Sequence, residues 1–210
     1  MTMHQILRII IDTLFPPTVH GMRLARATPT LVRRHYHEQR VGFIIALSHY
    51  HTPLIQAAIA ACKFEKNKHA AELLSHLLDT WLDRHPHEGA TIVIPLPLSS
   101  VRHTERGFNQ VERVITYCKN LSPSQTKTDW LRRTIDTQRQ TSLDRAARLQ
   151  NMVGVFSTTE ILNQVDWTKI SRIIICDDVI TTGASLAAAK ASLLPQLPAH
   201  VELICLAWAH

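Results

Sequence analysis

Apolar positions along the chain come in short blocks, and the period within the blocks changes from one to the next. Residues 91–94, 170–176 and 201–208 are runs of β-branched and other apolar side chains, the pattern of strands buried on both faces. Residues 41–47 read as a further strand. Between these runs the period becomes helical. Pro53 opens an alanine-rich segment that reaches about Cys62, with proline at a tolerated first-turn position. Leu73, Leu74, Leu77, Leu78 and Trp81 place one apolar face on a helix over 68–84, ahead of the breaker Gly89. Val111, Val114, Ile115 and Cys118 do the same over 107–119, and another alanine-rich helix is expected over 183–194. Strands alternating with helices predict an α/β fold with a mostly parallel central sheet flanked by helices.

The rest of the chain patterns differently. Residues 6–15 are apolar but carry Arg8 and Asp12, which predicts an amphipathic helix ending at Pro16 and Pro17. It is too short to span a bilayer, and no small-residue cleavage site follows it. Residues 18–39 are irregular and basic, so residues 1–44 are expected to form a small N-terminal appendage, or hood, on a main domain of residues 45–210. Residues 122–129 are polar and contain Pro123, the mark of a loop. Residues 131–151 are dense in Arg, Gln and Thr with few apolar anchors. A mobile lid is the leading reading of that stretch, a plain solvated loop or a nucleic-acid patch the others. Aromatics for base stacking are not interleaved there.

Composition narrows this picture only a little. The 210 residues are 45% hydrophobic and 19% charged, which excludes disorder and collagen-like architecture. The net charge of +6 favours polyanionic partners, phosphorylated metabolites or nucleic acid, without choosing between them. Cys62, Cys118, Cys176 and Cys205 are far apart and form no zinc spacing. They read as free thiols in a reducing, cytoplasmic setting. The 13 His residues are scattered, and no metal constellation stands out among them.

The chemistry concentrates in residues 173–185. An isoleucine run leads into Asp177 and Asp178, then Thr181, Thr182, Gly183, Ala184 and Ser185 open a helix. In an open α/β sheet ligands bind at the carboxyl ends of the strands. The first turn of a helix offers unpaired N–H groups and a partial positive charge, which suits phosphate. Hydroxyls of Thr181, Thr182 and Ser185 add donors, and Gly183 allows close backbone approach. Paired carboxylates repel phosphate but accept hydrogen bonds from sugar hydroxyls. The stretch therefore asks for a phosphate and a vicinal diol about one ribose apart. An ordinary strand–helix turn with two surface aspartates is the simpler alternative.

This stretch resembles the type I phosphoribosyltransferase signature, the loop that holds phosphoribosyl diphosphate (PRPP). Residues 93–114, with Pro95, Pro97, Arg102, Arg106, Gly107, Phe108, Asn109 and Gln110, are similar to the ComF competence family. Lys63 and Phe64 match its Lys-aromatic pair, and Arg132, Thr134, Gln138, Leu143, Arg148, Asn151, Gly154 and Phe156 follow its later pattern. The resemblance covers about residues 45–210.

It implies a type I phosphoribosyltransferase fold. It further implies that Asp177 and Asp178 bind the ribose hydroxyls, that residues 181–185 bind the 5-phosphate, and that residues 95–106 form the pyrophosphate loop. Arg102 and Arg106 add fixed cations to that loop, and Lys63 either reaches the diphosphate or snorkels from a helix end. Mg²⁺ would arrive with PRPP and keep its waters. The implied reaction transfers phosphoribose to a nitrogen acceptor and releases diphosphate. The alternative is a non-catalytic PRPP- or nucleotide-binding accessory of a DNA-uptake motor, with single-stranded DNA and a competence helicase as partners. A vestigial site is a third reading. No membrane insertion is expected, and an oligomer is open. Many ComF-like proteins resemble a two-part build with an N-terminal four-cysteine zinc ribbon. Here Phe15, Pro16 and Pro17 stand without the cysteines, so no zinc is expected. Asn109 is expected to hydrogen-bond at a helix start and Phe108 to lie in the core. No general base is evident.

Overall fold

The alternation along each strand sets the architecture. The computed structural model describes residues 24–135 and 154–210. The expected helix over 6–15, together with Gln138, Arg139, Leu143, Arg145, Arg148 and Asn151, lies outside the described residues.

A five-stranded sheet forms the centre, in the order β1 (Gln39–Val41), β2 (Ile44–Ala46), β7 (Glu202–Ala209), β6 (Ile170–Val179), β3 (Ala90–Pro95). β1 runs antiparallel to β2, and the other three pairings are parallel. The molecule is thus a mixed α/β protein with a mostly parallel central sheet flanked by helices, as the alternation of strands and helices predicts.

Neighbouring residues on the strands feed two different cores. Ile45, Val93, Ile174, Cys176, Leu206 and Trp208 point to one face, where α1 (Pro29–Arg33), α2 (Pro53–Phe64), α3 (Lys68–Arg84) and α5 (Gln110–Ile115) cover them. Ile44, Ala46, Ile92, Ile94, Ile173, Ile175, Cys205 and Ala207 point to the other, where α6 (Ala184–Leu193) packs with a ribbon of β4 (Leu131–Arg133) and β5 (Phe156–Thr158). A period of two with both faces buried produces the continuous apolar runs in the sequence. The helix over 68–84 has the expected bounds, is capped by the Asn67 side chain on the Ala70 N–H, and buries Trp81 at 1% exposure. It ends at Arg84, ahead of Gly89. None of the described helices is long and apolar enough to cross a membrane.

Several expectations need correction. The single strand over 41–47 is a hairpin that turns at Gly42, φ +62°. Residue 44 lies within that hairpin, and Leu24, Ala27 and Val32 pack in the same core as α3. The segment before Gly107 is a helix, α4 (Ser100–Arg106), and not a loop. Ser99 caps its start and Gly107, at φ +73°, closes its end. It buries none of its residues, so no apolar period announces it. Gly107 therefore ends one helix, and the next begins only at Gln110. Residues 131–133 and 156–158 are anchored: Trp130, Leu131, Val155 and Phe156 are all buried, and Ser192 donates to the Phe156 carbonyl at 2.7 Å.

Candidate functional site

Parallel pairing brings the two motif-bearing loops to one edge of the sheet. Pro95 at the end of β3 pairs with Cys176 of β6, and the Leu96 N–H donates to the Cys176 carbonyl at 2.8 Å. The Asp177–Asp178 pair and the 95–106 segment therefore leave the sheet side by side. β2 and β7 run parallel to β6 and end at the same edge. There the His210 N–H donates to the Ser48 carbonyl at 3.1 Å, and the Ile180 N–H to the Ala209 carbonyl at 2.9 Å.

The two carboxylates lie inside β6, which extends to Val179. Strand alternation sends them to opposite faces. Asp178 points towards α2 and α5. One of its oxygens meets Lys63 Nζ at 2.9 Å, and the other accepts from Gln110 Nε2 at 2.5 Å. Lys63 lies in the last turn of α2, placed there by a helix with Leu54, Ile55, Ala58 and Cys62 buried behind it. Gln110 passes its amide oxygen to Arg106, whose Nη1 donates at 2.7 Å. A chain thus runs from Arg106 through Gln110 and Asp178 to Lys63. Gln110 is 3% exposed. It belongs to the stretch that resembles the ComF family, but the sequence assigned it no role, because a glutamine at a helix start reads as surface.

Asp177 belongs to the opposite face. Its carboxylate accepts the N–H of Asp178 at 2.8 Å. Burial, with the Asp178 charge beside it, pushes its pKa up to about 7, against the opposing pull of that N–H, Lys63 and Arg102. Arg102 is exposed on α4, in the first turn behind the Ser99 cap.

The connection from β6 to α6 is a tight turn that opens directly into a helix start. Gly183 stands at φ +75° as the N-cap of α6, and a Cβ there would meet Ile44 Cδ1 at 2.7 Å. Thr182 Oγ1 accepts the Ala184 N–H at 3.3 Å. The N–H groups of Ser185 and Leu186 follow in the first turn, where a helix supplies no partner. Thr181 is exposed, while Thr182, Gly183 and Ser185 are half-buried.

On the other loop, Asn109 caps α5 as expected. Its Oδ1 accepts the Val111 N–H at 2.9 Å, and its Nδ2 donates to the Leu96 carbonyl at 3.0 Å. Phe108 is not core: it is half-buried, with Lys66 and Arg113 over its ring at 5.7 and 5.3 Å. Phe64 is 74% exposed beside Arg106. All four cysteines are free and buried. Burial pushes the Cys62 thiol, next to Gln110, up to about 11, so it is no nucleophile at neutral pH.

The sequence-predicted residues thus fall into three places at one sheet edge: Lys63, Arg106 and Asp178 linked on one face, Asp177 on the other, and residues 181–185 at the start of α6. No family profile matches the chain. It is 26% identical over 147 residues to competence protein F of Haemophilus influenzae, an alignment covering 68% of this chain and 62% of that protein. The chain is thus distantly similar to a competence protein F, in keeping with the ComF family that its motifs resemble.

Proposed function

We propose that the chain binds Mg-PRPP at the carboxyl edge of its sheet, on a type I phosphoribosyltransferase fold, and transfers phosphoribose to a nitrogen acceptor. The observation that carries this reading is the shared edge. A glycine-opened helix start suited to a phosphate and two adjacent carboxylates suited to a diol stand next to a second segment, whose helix α4 bears Arg102 and Arg106. In the reaction a nitrogen lone pair forms the new bond to C1 of the ribose. The C1–O bond breaks with its electron pair going to diphosphate, and the nitrogen loses a proton. The transition state is oxocarbenium-like, so neutralising the leaving diphosphate is the main task. Arg102, Arg106 and Lys63 are the groups available for it.

Magnesium fits as part of the ligand. Among the described residues no three His, Cys, Asp or Glu side chains gather as a cage. Asp177 and Asp178 would hold the ion through ribose hydroxyls and its own waters. When bound, it supplies charge neutralisation on the diphosphate.

The relation to competence protein F favours a role connected with competence, with single-stranded DNA and a helicase-type motor as candidate partners. A binding-only reading has its own support, because Asp178 is already engaged by Lys63 and Gln110. A panel of nucleobases and amines, read by pyrophosphate release, separates the two readings. Release with one acceptor supports transfer, and tight PRPP binding without release supports the accessory role. The reading as a whole is tested by titrating Mg-PRPP calorimetrically into the wild-type chain and an Asp177→Asn/Asp178→Asn variant. Equal affinity in the two overturns it.

A further inference from the structure

Gln110 has a position that neither the phosphate cradle nor the diol site requires. Its side chain is buried between the end of α2 and the end of β6, yet both ends of its amide are used. Oε1 accepts from Arg106 at 2.7 Å, and Nε2 donates to Asp178 at 2.5 Å. A guanidinium only donates and a carboxylate only accepts, so the orientation of the amide is fixed by its partners. Its backbone is fixed as well: Asn109 ties the start of α5 to Leu96, and Cys62 Sγ approaches the Gln110 carbonyl at 3.8 Å. The amide is therefore a rigid link between a cation suited to diphosphate and a carboxylate suited to sugar hydroxyls. Lys63, at 2.9 Å from the other oxygen of Asp178, closes the chain.

From this geometry, and resting on the PRPP reading above, we propose that Gln110 is a positioning residue. It latches Asp178 to Arg106 and so makes binding at the diol end and at the diphosphate end of the site cooperative. A diphosphate that draws Arg106 and Lys63 towards itself takes the donor from Gln110 Oε1 and the cation from Asp178. The carboxylate is then open to sugar hydroxyls. A diol that engages Asp178 first displaces the Gln110 amide and loosens Arg106. Either event opens the same latch, so whichever ligand binds second meets an open site. The coupling is reciprocal by linkage. The complete ligand, which carries both groups, gains from it in full.

Two fragments test this. Ribose 5-phosphate is titrated calorimetrically into the wild-type chain, with magnesium, in the absence and in the presence of saturating inorganic pyrophosphate. The titration is repeated for Gln110→Met, which keeps the volume and removes both hydrogen bonds, and for Gln110→Asn, which keeps an amide too short to span both partners. In the wild type, pyrophosphate is expected to tighten ribose 5-phosphate by about 5- to 150-fold, the usual range of coupling between sites. In both variants that factor is expected to fall, leaving only the part carried by Lys63, while ribose 5-phosphate alone binds as well as to the wild type or better. A purely structural role for Gln110 would weaken both fragments and leave their ratio unchanged. Thermal melting identifies a variant that fails to fold, in which case the other variant decides. Fragments that bind the wild type independently, or a coupling factor undiminished by both substitutions, overturn the latch and leave the PRPP reading standing. Failure of both fragments and of PRPP itself to bind the wild type overturns that reading and the latch with it.

Discussion

Asp177 and Asp178 are chain neighbours in opposite surroundings, and the difference follows from the two faces of the sheet. On the face of α2, α3 and α5, Asp178 is met by Lys63 and Gln110, so its charge is compensated within the fold. On the face of α6, Asp177 has the Asp178 N–H but no directly bonded cation among the described residues, and burial raises its pKa to about 7. One carboxylate is held and the other is poised. A ligand that needs both must release the first and deprotonate the second. Two adjacent aspartates in a sequence look equivalent, yet the pleat makes them different groups.

The largest effect that would break this comparison is the loss of both charges. Asp177→Asn with Asp178→Asn is expected to weaken Mg-PRPP at least about 100-fold, since a hydrogen bond to a charged group contributes about 1.5–3 kcal/mol. Calorimetry measures it. The two cores can be compared next. Trp81→Ala, deep on the α3 face at 1% exposure, is expected to lower stability by about 3–5 kcal/mol in denaturant unfolding. Gly183→Ala on the α6 face is expected to cost about 1–3 kcal/mol through its φ of +75°, and the Ile44 contact adds to that. It should weaken ribose 5-phosphate in the same preparation.

The pH profile sharpens the contrast between the carboxylates. Asp177 moves from the ordinary 3.8 to about 7, so between those values the folded chain holds a proton that the unfolded chain has lost. Its contribution to stability therefore declines as pH rises through that window. Binding runs the other way: sugar hydroxyls need the ionised acceptor, so PRPP affinity should rise between pH 6 and 8, on the order of one unit to either side of that value. Asp177→Asn should flatten the rise. The smallest effect is that of Lys63→Met, about 1 kcal/mol or less in stability, because the pair retains solvent contact at 19% and 17% exposure.

The legible parts of the fold were those in which side-chain period and burial agree. The strands at 91–94, 170–176 and 201–208 and the helix over 68–84 carry long apolar repeats, and they occupy those places with ends shifted by up to three residues. The helix Ser100–Arg106 was not legible, because it buries nothing and is defined only by its caps. The hairpin at Gly42 was hidden in one apolar run, since both of its strands have apolar residues and only the turn divides them. At the site, the strand-end rule was enough to put the aspartates and the segment after β3 at one edge, whereas Lys63 was named only through the resemblance and its pairing with Asp178 was not foreseen. Nor was the intermediary Gln110, because its role depends on a contact between residues 68 positions apart. The split of the aspartates was implicit in the strand period, but it emerges only once β6 is seen to continue through Val179.

The most direct measurement is the electron density of a crystal soaked with Mg-PRPP. The account predicts ribose hydroxyls on Asp177 and Asp178, the 5-phosphate against the N–H groups of residues 183–186, and Lys63 drawn away from Asp178 towards the diphosphate. Density that leaves this edge empty, or that places the pentose elsewhere with the Lys63–Asp178 pair intact, would contradict it.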